Sequence, residues 1–179
     1  MNKKNFCFCL VWMCALISFL EAHPGHQNLL GEVIPNSYDW RFWLEKIGKW
    51  HFILIHFPIA LINLTLVAEV CNLKFKNILF DHASRFMLTS AAILIVPTVL
   101  CGLALSYGQK YEGVQLELFE AHRFFGLLTC LLTVWTAFIK QRNSRLENPS
   151  FVLFYVALFL SFVSVNLTGT LGGNLTFGL

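Results

Sequence analysis

Residues 52–70 hold nineteen consecutive positions with a single charge, at Glu69. A helix of that length covers roughly 30 Å at about 1.5 Å per residue, the thickness of a bilayer's hydrocarbon core. Lipid offers no partner to a free amide or carbonyl, so such a run crosses a membrane as a helix or not at all. Three of its residues suit a plain anchor poorly. His56 lies about one turn inside the run, Asn63 puts an amide near its middle, and Pro58 has no N–H to give the Leu54 carbonyl. Polar groups are expensive in hydrocarbon and turn toward neighbouring helices or cavities. This segment therefore reads as the inner wall of a bundle.

Three further apolar segments, at about residues 87–107, 121–139 and 151–170, complete four spans, the first being taken as 52–72. The second contains Pro97 and Gly102. The expected fold is all-α, a polytopic four-helix membrane bundle of residues 50–179. Charged residues make up 13% of the chain, against about 25% in a soluble domain, which agrees with lipid as the solvent. The net charge of +3 is small and scattered, so there is no nucleic-acid footprint. The chain has no glycine-rich phosphate loop, zinc-spaced cysteine set or serine-nucleophile motif, and the reading assigns it no catalytic activity of its own. Cys71, Cys101 and Cys130 sit in or beside separate spans and read as small buried hydrophobes.

Residues 1–22 have the form of a secretory signal, with Lys3 and Lys4, an apolar run over 6–20, and Ala22 before the cut. The alternative is an uncleaved fifth span. Cleavage would start the mature chain at His23 and His26, two imidazoles that with His51 form a weak site for copper or another metal. Residues 38–49 mix Trp40, Phe42 and Trp43 with Arg41, Lys46 and Lys49, which suits an outer helix at the membrane interface. The loops after the first and third spans hold six Lys/Arg between them and the loop after the second holds one. The positive-inside rule places the first two in the cytoplasm. The expected topology is then multi-pass, with both mature termini on the outer side, which for a bacterial inner (cytoplasmic) membrane is the periplasm.

That topology gathers His51, His56, His122 and the glycine-rich residues 168–173 near the outer face. His51 and His56 are five apart, so they point about 140° apart on a helix and only one faces the bundle. His56 is the choice here, because it lies deeper and beside Pro58. It is expected to meet His122, whose face is shared with Gly126, while residues 168–173 form a turn packed against the bundle. Glu69 is expected to pair with Lys74 or Lys76 near the inner face.

The residues His56-Phe57-Pro58-Ile59-Ala60-Leu61, Gly102, Ala121-His122-Arg123 and Leu167-Thr168-Gly169-Thr170-Leu171-Gly172-Gly173 together resemble a bacterial four-helix membrane family, number 2231 among the domains of unknown function. The resemblance covers about residues 50–178. Similar domains stand beside c-type cytochrome domains in planctomycete proteins, which implies a redox neighbourhood and no specific reaction.

The expected function is an integral-membrane subunit or accessory of an envelope complex. It has a candidate b-type haem site between spans one and three, at His56 and His122 with Arg123 offsetting a propionate. One alternative is a haem-binding electron-transfer protein working with a c-type cytochrome or another redox membrane protein. The other is metal handling at the outer face through His23, His26 and His51.

Overall fold

Pro58 marks the one interruption in an otherwise unbroken first helix. The computed structural model describes residues 40–107, 109–145 and 150–177. Helix α1, Trp40–Leu54, is separated from α2, His56–Phe75, by Ile55 alone. Ile55 keeps helical angles, φ −58° and ψ −31°. Its amide still bonds the His51 carbonyl at 3.0 Å, and the next bond, from Ile59 to Ile55, is stretched to 3.4 Å. Proline therefore costs one hydrogen bond here without ending the helix.

Over residues 38–49, where an interfacial helix is expected, the chain is helical from Trp40 and runs directly into the first span. The continuous stretch Trp40–Phe75 has 36 residues, about 54 Å of helix against a core of roughly 30 Å. The stretch is therefore longer than the core, and Trp40 and Trp43, residues enriched at membrane interfaces, are exposed at its N-terminal end.

Two residues separate α2 from α3, Ile78–Ser106. Lys76 takes the left-handed conformation at φ 50° and its amide bonds the Asn72 carbonyl at 2.8 Å. Asn77 then caps α3 by accepting from the Leu79 amide at 2.9 Å. Helix α4 is Val114–Asn143, preceded by Gly113 at φ 57°, and α5 is Phe151–Phe177. Between them the Asn143 side chain clasps Ser150, donating to its carbonyl and accepting from its amide, both at 3.2 Å. Among the described residues there is no strand. Four helices among the described residues are long and apolar enough to span a membrane.

Two boundaries differ from the sequence reading for a physical reason. Helices α3 and α4 begin at Ile78 and Val114 instead of 87 and 121, because caps end a helix and the edge of the hydrocarbon does not. Residues 168–173 are not a turn: α5 stays helical through all three glycines to Phe177. Glycine weakens a helix interior, but packing offsets it where a neighbour needs the space.

Helix α2 packs on α3, α3 on α4, α4 on α5 and α5 back on α2, which closes the bundle, while α1 packs on the later turns of α3. The core is built from Leu88, Ala137, Phe154 and Leu158, and from Ile62, Ala91 and Val165. Large apolar residues such as Ile93, Leu100, Leu131 and Phe138 face outward, as lipid contact requires. Small residues bring the backbones together. At Gly48 a Cβ would lie 2.6 Å from the Leu105 backbone, so α1 and α3 touch there with no room for any side chain.

The expected signal sequence over residues 1–22, with His23 and His26, lies outside the described residues.

Candidate functional site

Gly48 fixes which face of α1 turns inward, and His51 follows it by three residues on that face. The half-buried His51 ring places Nδ1 2.8 Å from the Thr98 carbonyl of α3. A carbonyl only accepts, so Nδ1 carries the proton and, in the neutral ring, Nε2 keeps its lone pair. The ring lies over Gly102, one turn beyond Thr98. A Cβ there would be 2.9 Å from the His51 Cε1 and Nδ1 atoms.

The same construction recurs across the bundle. His122 of α4 places Nδ1 3.0 Å from the Thr168 carbonyl of α5. It lies over Gly172, where a Cβ would be 2.9 Å from Cε1. Threonine and glycine stand four apart in both acceptor helices, at Thr98 and Gly102 and at Thr168 and Gly172. The two imidazoles meet with ring centroids 6.3 Å apart and planes at 86°. All four contributing helices therefore converge on one pair of rings.

This corrects the expected pairing. His56 is exposed on α2, and His51, read from sequence only as a weak metal residue, is the ring that faces His122. Depth and the nearby proline favoured His56, but helix rotation decides, and Gly48 sets it. Arg123 is exposed with its guanidinium over the Phe119 ring at 5.7 Å. Gly126 packs against Thr168, where a Cβ would meet Cγ2 at 3.7 Å. The signal that could have found the pair is the repeated threonine–glycine spacing in spans two and four.

A second polar cluster lies at the other end of the bundle. Glu69 is 1% exposed and Lys140 8%, and Lys140 Nζ lies 2.6 Å from Glu69 Oε1 and 2.7 Å from Asp81 Oδ1. Arg85 donates to the other Asp81 oxygen at 2.8 Å. Ser84 and Tyr155 donate to Glu69, and the Lys140 ammonium lies 4.9 Å from the Phe154 ring centroid. Two carboxylates thus face two cations, and a cavity of about 100 Å³ opens beside them, lined in part by Asn72, Asn143 and Tyr155. The expected partners of Glu69 are not used. Lys74 is exposed and lies over Phe75, because five residues carry it about 140° around the helix from Glu69.

The α4–α5 seam between the two ends is lined with hydroxyls. Thr129 bonds Ser164 at 2.7 Å and Thr168 at 3.1 Å, and Thr136 bonds Ser161 at 3.0 Å. Each of these threonines also reaches the carbonyl four residues back, so the seam is satisfied and joins the two helices.

The family profile for DUF2231, described as predicted membrane protein, matches residues 49–179. The chain belongs to this family. No curated protein and no solved structure matches it. The DUF2231 region opens two residues before His51, so both imidazoles, both glycines beneath them and the whole charged cluster lie inside it.

Chemically, the DUF2231 pair offers two imidazoles held in the same tautomer by backbone acceptors, the arrangement that orients histidine as a metal ligand. Among the described residues no third histidine, cysteine or carboxylate joins them to complete a metal-ion site.

Proposed function

We propose that this DUF2231 chain is an integral-membrane electron carrier. It holds a b-type haem between His51 and His122 and works as a subunit or accessory of an envelope redox complex. The supporting observation is the pair of rings with centroids 6.3 Å apart, each pinned at Nδ1 by a backbone carbonyl. Two metal–nitrogen bonds of about 2 Å, with about 1.2 Å from each nitrogen to its ring centre, give a separation of roughly 6 Å across one ion. A porphyrin supplies the four donors that the protein lacks, and helical bundles host such groups between facing helices. The group's contribution is a one-electron reversible iron centre. The chain's own residues, His51 and His122, would hold the group, and with two protein nitrogens given to one iron the chemistry it would supply is electron transfer and not substrate catalysis.

The charge pattern supports an orientation. Lys74, Lys76, Arg85, Lys140, Arg142 and Arg145 gather at the end where α2 meets α3 and α4 leads to α5, while the described part of the opposite loop holds Lys110. Arg41, Lys46 and Lys49 of α1 run against this pattern, and export by a signal peptide would override them. With the basic end cytoplasmic, the histidine pair lies toward the periplasmic face of an inner membrane, where a c-type cytochrome or another redox membrane protein exchanges electrons with it. Reporter fusions after Lys76 and Arg145 read cytoplasmic, and a periplasmic reading at either reverses the orientation.

The function is tested on protein purified in detergent from cells supplied with haem. The expected result is about one b-type haem per chain and a Soret band that shifts on reduction. Because the ring planes stand at 86°, the oxidised form should give the highly anisotropic low-spin electron paramagnetic resonance signal of near-perpendicular imidazoles. A colourless protein under these conditions overturns the reading.

A further inference from the structure

We propose that the outward face formed by α2 and α5 is the contact surface of a dimer of this chain, centred on Asn166. Elsewhere the middle of the bundle presents hydrocarbon to lipid: α3 exposes Ile93, Val96 and Leu100, and α4 exposes Leu127, Leu131 and Phe138. The α2–α5 face also exposes Leu64, Leu160 and Leu167, and it adds polar groups among them. Asn166 and Thr170 are exposed on α5 one turn apart, and Ala60 and His56 are exposed on α2. Asn166 is level with Asn63 of α2, and Ile59, one turn on, packs against Gly169, so Ala60 lies within about a turn of Asn166 and His56 about two turns further out.

Asn166 cannot escape the hydrocarbon. Helix α5 has 27 residues, about 40 Å, and Asn166 lies about 22 Å from its start. Wherever a core of roughly 30 Å sits on that helix, the carboxamide is inside it. Its nitrogen donates to the Phe162 carbonyl at 2.7 Å and reaches the Asn63 oxygen only at 3.4 Å. Among the described residues no donor reaches its carboxamide oxygen. A polar group facing lipid at that depth is costly, and another protein surface removes the cost.

A second copy is the occupant that the geometry favours. A carboxamide is both donor and acceptor, so two of them satisfy each other reciprocally. Every copy enters the membrane in the same orientation, so a two-fold axis along the membrane normal brings Asn166 to Asn166 at equal depth. A different partner would need its own polar group at that level. Close approach is open beside it, because a Cβ on Gly173 would meet nothing within 4 Å.

The test is the monomer–dimer equilibrium of fluorescently labelled protein in liposomes, read by single-molecule photobleaching over a range of protein-to-lipid ratios. The parent is expected to dimerise and Asn166→Leu to dimerise about tenfold more weakly, the scale of a lost pair of membrane hydrogen bonds. Leu131→Ala, on the α4 face, should match the parent. In chains whose native cysteines are replaced by alanine, Asn166→Cys should cross-link on oxidation in membranes and Leu131→Cys should not. This variant decides the matter if Asn166→Leu fails to fold. Monomers at every ratio, an affinity unchanged by Asn166→Leu, absence of the Asn166→Cys cross-link, or isolation of a monomer bound to a different protein through this face each overturn the proposal.

Discussion

His51→Ala and His122→Ala are each expected to abolish the low-spin haem spectrum proposed for the purified protein, and His56→Ala to leave it intact. Both outcomes follow from where the rings stand. His51 and His122 are the facing pair, with Nδ1 of each committed to a backbone carbonyl, so in the proposed site Nε2 would meet the iron. His56 is exposed on α2. Losing only the hydrogen-bond partner of a ligating histidine typically costs about 10–100-fold in metal affinity, so losing the ring itself should cost at least that. Haem content per chain, read by the pyridine haemochrome, checks the magnitude, and the visible spectrum checks the spin state. A His51→Ala protein with an unaltered spectrum would falsify the pairing, as would loss of the spectrum in His56→Ala alone.

The largest effect on stability is expected from Lys140→Met. Methionine fills a similar volume but leaves Glu69, 1% exposed, without the ammonium now 2.6 Å away. Breaking a buried ion pair from one side costs about 3–5 kcal/mol, because the remaining charge is stranded. Arg85 still neutralises Asp81 at 2.8 Å, so the penalty falls mainly on Glu69. The Glu69→Gln/Lys140→Met double variant should therefore recover part of the loss, with a coupling of about 1 kcal/mol or more between the two positions. Unfolding in detergent, followed by circular dichroism for the parent, both single variants and the double variant, measures this cycle. Purely additive losses would show that Lys140 and Glu69 do not act as a pair.

The spans were legible because their cause is local. Apolar length forces a helix in lipid, and the four segments, the family resemblance and the clustering of basic loops at one end all followed from residues read in order. Helix ends were less legible. Asn77 and Gly113 cap α3 and α4 well outside their apolar runs. The glycines at 169, 172 and 173 stay helical, and Gly172 leaves the room that the His122 ring occupies, a contact that no local pattern announces.

The candidate site divides along the same line. Sequence spacing showed that His51 and His56 point in different directions, and that histidines from two distant spans share one end of the bundle. It did not show which of the two faces inward. Periodicity gives the angle between two residues of one helix, whereas the rotation of that helix toward its neighbours is set by packing. Here the packing is Gly48 against the Leu105 backbone, which turns His51 toward Thr98 and His122. In the same way, Glu69 found its partner 71 residues away in Lys140 instead of in the nearby lysines. A buried carboxylate is satisfied by the cation that the closed bundle brings to it, and only tertiary structure determines which one that is.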